Sequence, residues 1–131
     1  AYRKSVTMEI KFDITRPFEK DLKKLGPNEK DRVVVAIDKY AATFDTALDV
    51  STQHVYRPHK LNMPDGLDSS LYVLRVSTQI RVILTIEEDP LFDQKIITLF
   101  RVVKHDDMDR TYKSIAESLY QQLRSGESDN G

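Results

Sequence analysis

The sequence predicts an α+β domain with the element order β-α-α-β-β-β-α, in which a helical hairpin packs on one face of an antiparallel meander sheet. Three apolar, β-branched runs follow one another through short polar breaks between residues 71 and 104, which is typical of a meander. Two segments with apolar residues at helical spacing lie between a first strand and this meander. Successive helices of this kind are expected to pack together on one side of a four-stranded sheet.

The first strand and the two helices are predicted from the first third of the chain. Residues 8–14 alternate between apolar and charged side chains, as in a half-buried strand. Thr15 is a suitable N-cap for a helix over 16–25, whose early proline has no N–H to leave unpaired. Asn28 is expected to cap a second helix over 28–48. The expected buried residues are Phe18, Leu22 and Leu25 in the first helix and Val33, Ile37, Tyr40, Ala41, Phe44 and Leu48 in the second.

A long loop, three strands and a last helix are expected to follow. Residues 49–70 contain proline, glycine and scattered polar residues, and they predict a loop longer than compact domains usually contain. The last helix is expected to begin near Asp106 or Asp107. The strands are predicted at 71–77, 80–87 and 95–104, and the buried stripe of the last helix at Tyr112, Ile115, Ala116, Leu119 and Leu123.

The length and composition indicate one globular domain. Residues 8–124 are expected to form it, with leader or cloning-derived residues at 1–7 and a disordered tail at 125–131. No apolar run approaches the ~20 residues that a membrane span needs. The absence of cysteine excludes disulfides and is compatible with a reducing cytoplasm. Three separated histidines without cysteine argue against a zinc site.

The charges in the predicted meander are unevenly distributed. The chain has a formal net charge of −1, which argues against a broad nucleic-acid footprint but permits a local cationic site. Acidic residues gather in the break between the second and third strands, whereas the strands themselves carry only cations. We therefore expect the sheet to bind an anion. The cations are Arg75, Arg81, Lys95, Arg101 and Lys104, and the acidic residues are Glu87, Glu88, Asp89 and Asp93.

Strand alternation predicts which of these cations lie together. Arg101 and His105 are expected on one face of the third strand and Lys104 on the other. Because Arg81 opens the middle strand beside the turn, Arg75, Arg81 and His105 are expected to converge at one end of the sheet. The predicted neighbours on the shared faces are Leu71 and Val73 for Arg75, and Ile97, Leu99 and Val103 for Arg101 and His105.

A second interpretation assigns these residues no chemistry. In it, the arginines are surface residues of an ordinary sheet that pair with Glu and Asp side chains of the last helix, and His105 is a cap or packing residue. If the sheet does bind an anion, Arg75, Arg81 and His105 suit the cleavage of RNA by its own 2′-hydroxyl. That reaction needs proton transfer, for which histidine is suited near neutral pH, and cations that stabilise the extra phosphate charge, but no metal or cofactor.

Three segments of the meander resemble the RelE/ParE toxin superfamily. They are residues 71–76 (LYVLRV), residues 80–83 (IRVI) after a short turn, and residues 103–107 (VKHDD) at the end of the last strand. The closest resemblance is to the RelE-like branch whose last strand ends in a His-Asp-Asp signature. The resemblance spans about residues 8–124, and the predicted order of elements agrees with it.

The resemblance implies a small cytoplasmic toxin, often a ribonuclease that cuts messenger RNA in the ribosomal A site. By position, Arg75 and Arg81 match sheet cations that hold phosphate, and His105 matches a strand-end residue with an acid–base or phosphate role. Asp109 stands where a tyrosine is common, and Tyr112 one helical turn later is the candidate for that role. Further RNA-binding candidates are Arg101, Lys104, His59 and Lys60.

The resemblance also implies partners and leaves two other functions open. The expected partners are a cognate antitoxin protein and messenger RNA on the ribosome, in a homodimer or a toxin–antitoxin hetero-oligomer. The first alternative is a non-catalytic binder that inhibits a protein target, as gyrase-directed relatives do. The second is an inactive accessory domain of a longer chain. The strand-end histidine favours the ribonuclease, whereas the near-neutral charge favours the alternatives.

Overall fold

The computed structural model describes residues 9–42, 55–56, 71–89 and 91–130, which form five strands and three α-helices. The α+β class is as predicted, and every predicted element is present in the predicted order. The elements are β1 (Glu9–Ile14), α1 (Arg16–Lys23), α2 (Pro27–Ala42), β2 (Val55–Tyr56), β3 (Leu71–Arg75), β4 (Ile80–Asp89), β5 (Gln94–Lys104), a 3₁₀ turn (His105–Asp107) and α3 (Met108–Asn130).

The differences from the predicted elements are local. The two residues of β2 lie inside the predicted loop and pair with β3, which adds a fifth strand. α2 begins at Pro27, and the amide of Lys30 donates to the carbonyl of Gly26 at 2.9 Å, so Asn28 lies in the first turn and is not the cap. α3 continues to Asn130, through six residues for which a disordered tail is expected. The predicted core residues Phe44 and Leu48 lie outside the described residues.

The sheet has the strand order β1-β5-β4-β3-β2. β3, β4 and β5 form the predicted antiparallel meander, whereas β1 pairs in parallel with β5 and makes the sheet mixed. The parallel pairing ends where Ile14 lies opposite Leu99. The second half of β5 is therefore open on that edge, and α1 crosses beside it.

α1 and α2 cover one face of the sheet, as predicted, and α3 covers the other. The buried side chains of α1 and α2, among them Phe18, Val33 and Ile37, share one core cluster with Leu74 and Val82 of the sheet. The second cluster lies on the opposite face, which we call the α3 face. It is formed by Met108, Tyr112 and Ala116 of the last helix with Leu71, Val73, Ile83 and Val103 of the strands.

A β-bulge in β5 changes which side chains of this strand lie on the same face of the sheet. Leu84 lies opposite Leu99 and Ile83 lies opposite Arg101, so Phe100 is an extra residue. Before the bulge, Ile97 and Leu99 pack toward α1 and α2. After the bulge, Val103 packs on the α3 face. The prediction that Ile97, Leu99 and Val103 share one face with Arg101 and His105 is therefore wrong, because one inserted residue inverts the alternation.

Two residues of the first helix region occupy the open edge of β5. The Thr15 hydroxyl caps α1 by accepting the Phe18 amide at 3.2 Å, and it donates toward the carbonyls of Leu99 and Phe100, each at 3.0 Å. The Asp21 carboxylate accepts the Val102 amide at 2.9 Å. These contacts satisfy backbone groups that β1 leaves unpaired when its pairing with β5 ends.

Candidate functional site

Arg75 and Arg81 lie directly opposite each other across β3 and β4. The next pair toward the turn is hydrogen-bonded, because the Val76 amide donates to the Ile80 carbonyl at 3.0 Å. The two arginines therefore form a non-hydrogen-bonded pair, in which Cβ atoms are closest, about 4.5–5.5 Å apart. Alternation from Val73 and Ile83 puts both side chains on the α3 face.

No carboxylate forms an ion pair with either arginine in the described part of the chain. Two like charges in directly opposite positions of a sheet repel each other. An anion bound by both guanidinium groups would attract each of them and so offset their repulsion. Phosphate is a suitable anion, because arginine binds phosphate oxygens in two-point contacts. Arg75 is exposed and accessible to such an anion.

Arg81 is buried, with only 6% of its surface exposed. Its Nη1 donates to three carbonyls of the adjoining turn: Ser77, Thr78 at 3.2 Å and Ile80 at 3.2 Å. Its Nε is buried and has no hydrogen-bond partner among the residues that the structure describes. A buried N–H without an acceptor costs about 1–3 kcal/mol, so this nitrogen would gain from an incoming anion.

His105 lies at the same end of the sheet as the two arginines. Its backbone amide donates to the carbonyl of Gln79 at 2.7 Å, and Gln79 precedes Arg81 by two residues. Lys104 is still extended, so strand alternation from Val103 carries His105 to the α3 face. Its imidazole is more than half exposed, and its Nδ1 lies 3.5 Å from a carboxylate oxygen of Asp106. The register thus brings together Arg75, Arg81 and His105.

Tyr112 is not at this site. It is 1% exposed, and its hydroxyl donates to the carbonyl of Leu71 at 2.7 Å within the core of the α3 face. The hydroxyl is thus engaged in packing α3 against β3, where no substrate reaches it. The helical spacing that predicts a buried stripe is the signal that places Tyr112 here.

The other cations of the strands have acidic partners. Arg101 makes two contacts with Asp21, from Nε at 2.6 Å and from Nη2 at 3.1 Å. The hydrogen bond with Asp21 raises the pKa of the Arg101 guanidinium, against a smaller opposing effect of burial. Lys104 lies 3.3 Å from Glu29, and Lys95 lies 2.5 Å from Glu88. The second interpretation, in which the arginines pair with acids of the last helix, is wrong for Arg101, because its partner Asp21 belongs to α1.

A cleft of about 560 Å³ adjoins the open edge of β5 between α1, α2 and α3. Its walls include the pairs Arg101–Asp21 and Lys104–Glu29, as well as Arg110, which contacts Asp107 at 2.7 Å. In the antiparallel ladder, backbone groups of Val102 and Lys104 alternate outward into this open edge. The cleft is thus a groove with nearly balanced charge beside an edge of β5 that no strand covers in the described part of the chain, although Asp21 caps the Val102 amide.

His59 and Lys60 lie outside the described residues. Among the residues that are described, no group of three or more His, Asp or Glu side chains is placed to hold a metal ion. No helix in that part of the chain is long and apolar enough to cross a membrane.

Sequence reasoning missed the residues that organise the site. Asp21 was not distinguished from other acids of an amphipathic helix, because its role depends on where β1 ends. The turn of Ser77, Thr78 and Gln79, whose carbonyls hold Arg81 and His105, was treated only as a connection. Serine is a common turn residue, and Ser77, three residues before β4, is the signal that the sequence offers for this turn.

Comparison with known proteins gives structural similarity alone. No protein-family model matches the sequence, and no curated protein matches it. The chain is similar in structure to RelE in an archaeal RelE–RelB complex from Pyrococcus horikoshii, with 15% identity and a TM-score of 0.45 over 74% of this chain and 96% of the other.

Two further solved structures give similar values. A RelB–RelE antitoxin–toxin complex from Methanococcus jannaschii has 16% identity and a TM-score of 0.44 over 76% of this chain and 96% of the other. The toxin–antitoxin complex RelBE2 from Mycobacterium tuberculosis has 18% identity and a TM-score of 0.42 over 78% and 95%.

Proposed function

We propose that this protein is the toxin of a toxin–antitoxin pair and acts in the cytoplasm as an endoribonuclease on messenger RNA at the ribosome. The observation that carries the proposal is the like-charged pair Arg75–Arg81 on the α3 face beside His105. Two arginines that have no carboxylate partner among the described residues can bind the phosphate, and the accessible histidine can supply one of the two proton transfers of RNA cleavage by the 2′-hydroxyl. The sequence resemblance described above supports the same activity.

In the proposed reaction, the 2′-oxygen of one nucleotide attacks the adjacent phosphorus and the bond to the 5′-oxygen of the next nucleotide breaks. The proton of the 2′-hydroxyl is lost to a base, and a proton is delivered to the 5′-oxygen. His105 supplies one of these two transfers, a role typically worth ~10²–10⁴-fold in rate. Arg75 and Arg81 stabilise the charge that develops on the phosphate oxygens.

The products of this reaction distinguish it from hydrolysis by water. The upstream fragment ends in a 2′,3′-cyclic phosphate, and the downstream fragment begins with a 5′-hydroxyl. We propose to map cuts on a messenger RNA during translation with purified components and to identify both ends chemically. A second message with a single 2′-deoxynucleotide at the mapped cut should resist cleavage there and be cut normally elsewhere. Cleavage of the deoxy position at the normal rate would overturn the proposed chemistry.

The proposed partner is an antitoxin that lays an extended or helical segment over the cationic end of the sheet. The open edge of β5 and its cleft support this proposal, because the outward carbonyl of Val102 and the outward backbone groups of Lys104 can pair with an added strand, whereas the Val102 amide is bonded to Asp21. Co-expression with the protein encoded beside this chain should yield a stable complex. Toxicity of the chain when expressed alone, relieved by that neighbour, is the accompanying result.

A non-catalytic protein-binding role is the second candidate. It is favoured by the burial of Tyr112 and by the ion pairs of Arg101 and Lys104, which leave few groups for chemistry. The two functions differ in the response to His105→Gln. A binder should arrest growth equally with and without this substitution and leave messenger RNA intact, whereas a ribonuclease should lose both effects together.

A further inference from the structure

The turn between β3 and β4 is organised by the hydroxyl of Ser77. Its Oγ accepts the backbone amide of Gln79 at 3.3 Å and that of Ile80 at 3.2 Å. Serine hydroxyls commonly stabilise turns through such local contacts with the backbone. Ser77 is itself half-buried, so the contact is partly shielded from water.

Each of these two amides belongs to a peptide group whose carbonyl holds one residue of the site. The Gln79 amide is in the same planar unit as the Thr78 carbonyl, which accepts Nη1 of Arg81 at 3.2 Å. The Ile80 amide is in the same unit as the Gln79 carbonyl, which accepts the backbone amide of His105 at 2.7 Å. Because a peptide unit is rigid, fixing its N–H also fixes the direction of its C=O.

We propose that Ser77 is a positioning residue that holds Arg81 and His105 in register with each other. This inference rests on the proposed function, since it assigns Ser77 a role in phosphate binding and RNA cleavage. One hydroxyl orients two peptide groups, and those groups orient the guanidinium of Arg81 and the first residue after β5. Ser77 acts through these two residues and does not contact the substrate.

The geometry explains why this role belongs to the side chain of Ser77 and not to its backbone alone. The Ser77 carbonyl also accepts Nη1 of Arg81, and this contact survives any substitution. The Val76 and Ser77 amides both donate to the Ile80 carbonyl, at 3.0 and 3.3 Å, and they likewise remain. A variant without the hydroxyl should therefore keep the hairpin and lose only the orientation of the Thr78 and Gln79 carbonyls.

The test compares variants of Ser77 that differ in the hydroxyl. Ser77→Ala removes it, Ser77→Thr keeps it, and Ser77→Val has nearly the shape of threonine without it. Ser118→Ala on the exposed side of α3 is the matched control, because it removes a serine hydroxyl far from the turn. Cleavage is measured as a single-turnover rate at saturating enzyme on a translated message, with the half-saturating concentration determined separately.

Small displacements of catalytic groups cost up to about 100-fold in rate. We expect Ser77→Ala and Ser77→Val to lower the single-turnover rate about 10- to 100-fold with a smaller change in half-saturation. Ser77→Thr should lie within about threefold of wild type, and Ser118→Ala should be unchanged. Equal rates for Ser77→Thr and Ser77→Val would overturn the proposal, and this comparison holds even where Ser77→Ala folds poorly.

A second readout separates this inference from the proposed ribonuclease activity. Hydrogen exchange of the His105 amide should be faster in Ser77→Val than in Ser77→Thr, while amides in the middle of β4 exchange alike. In wild type, inorganic phosphate should shift the NMR signal of the Arg81 Nε–H, and this shift should weaken in Ser77→Val. If wild-type protein cuts no RNA but these differences appear, the ribonuclease proposal fails and positioning stands. If exchange and phosphate response are the same in both variants, positioning fails.

Discussion

Arg75 and Arg81 face each other in a non-hydrogen-bonded pair of β3 and β4, with both side chains on the face of the sheet that α3 covers. Ion pairs neutralise three other strand cations, Lys95, Arg101 and Lys104. In the described part of the meander, the cations that form no ion pair with a carboxylate, Arg75 and Arg81, therefore lie at the end of the sheet where His105 also lies. The acids Glu87, Glu88 and Asp89 lie in the last part of β4 and Asp93 in the turn to β5, so the prediction that the meander strands carry only cations is wrong. These acids lie at the opposite end of the sheet, which is why a net charge of −1 conceals a cationic site.

The first prediction concerns how the repulsion between Arg75 and Arg81 affects the free energy of unfolding. Cross-strand like charges destabilise a sheet by roughly 0.2–1 kcal/mol, so Arg75→Gln should leave the free energy of unfolding unchanged or raise it by that amount. The gain should shrink at high salt, because salt screens the repulsion at this exposed position. Urea unfolding at low and high ionic strength measures both effects. A clear loss of stability in Arg75→Gln would mean that Arg75 makes a stabilising contact instead.

The second prediction concerns phosphate as a ligand of the same pair. Inorganic phosphate should raise the melting temperature of the wild type by binding the folded state, in proportion to RT ln(1 + [phosphate]/Kd). The increase should be lost in Arg75→Gln and retained in Arg32→Gln, an exposed arginine of α2. Sulfate at equal ionic strength serves as a second anion, and sodium chloride as the control for screening. An equal increase in both variants would indicate a general salt effect.

The third prediction concerns Asp21 at the open edge of β5. Asp21→Ala removes the acceptor of the Val102 amide and both contacts with Arg101. Leaving such donors unpaired costs about 1–3 kcal/mol, and we expect a loss of unfolding free energy in that range. Asp38→Ala on the exposed side of α2 should change stability by less than about 0.5 kcal/mol. Similar values for the two variants would contradict a capping role of Asp21.

The fourth prediction concerns Tyr112. Its hydroxyl is bonded to the Leu71 carbonyl in the core, so Tyr112→Phe should lower stability by about 0.5–1.5 kcal/mol. RNA cleavage per folded molecule should stay within about threefold of wild type, because the hydroxyl does not reach the site. A loss of cleavage by two orders of magnitude with unchanged stability would restore Tyr112 as a catalytic residue.

The fifth prediction concerns pH. The hydrogen bond and charge of Lys95 lower the pKa of Glu88 from its ordinary value of 4.5. A carboxylate with a lowered pKa in the folded state adds stability that is present above pH 4.5 and is lost as pH falls through the lowered pKa. As pH falls from 4.5 to the lowered pKa of Glu88, the free energy of unfolding should decrease more in wild type than in Glu88→Gln, because the variant lacks the titrating group. Parallel stability curves in acid would show that the pair contributes nothing. The effect should be small because Glu88 is exposed.

The fold was largely predictable because it follows from local patterns. The alternation of β1, the Thr15 cap of α1 and the helical stripe at Val33 and Ile37 each report burial within one element, and each is confirmed. β2 was not predicted, since two residues are too few for a pattern. The bulge at Phe100 was also missed, because an inserted residue is defined only by the strand opposite it.

The candidate site was predictable in its position but not in its internal contacts. Turn length and strand register brought Arg75, Arg81 and His105 together, and both follow from the sequence. The second interpretation, in which Arg81 is a surface residue, is wrong, because its side chain is buried and donates hydrogen bonds to turn carbonyls. Likewise, the pairing of Arg101 with Asp21 joins residues 80 positions apart, which no local pattern reports.

The central claim is that Arg75 and Arg81 together hold a phosphate of RNA during cleavage. The most direct measurement is the single-turnover rate of messenger RNA cleavage on purified ribosomes by wild type, Arg75→Ala, Arg81→Lys and Arg32→Ala at equal concentrations of folded protein. Removing one preorganised donor costs ~10²–10³-fold in rate, so we predict a loss of about that size in Arg75→Ala. Arg81→Lys, which keeps the charge without the guanidinium fork, should lose at least about tenfold. Arg32→Ala should cleave like wild type. Cleavage at the wild-type rate by Arg75→Ala and Arg81→Lys, with all four proteins folded, would contradict the claim.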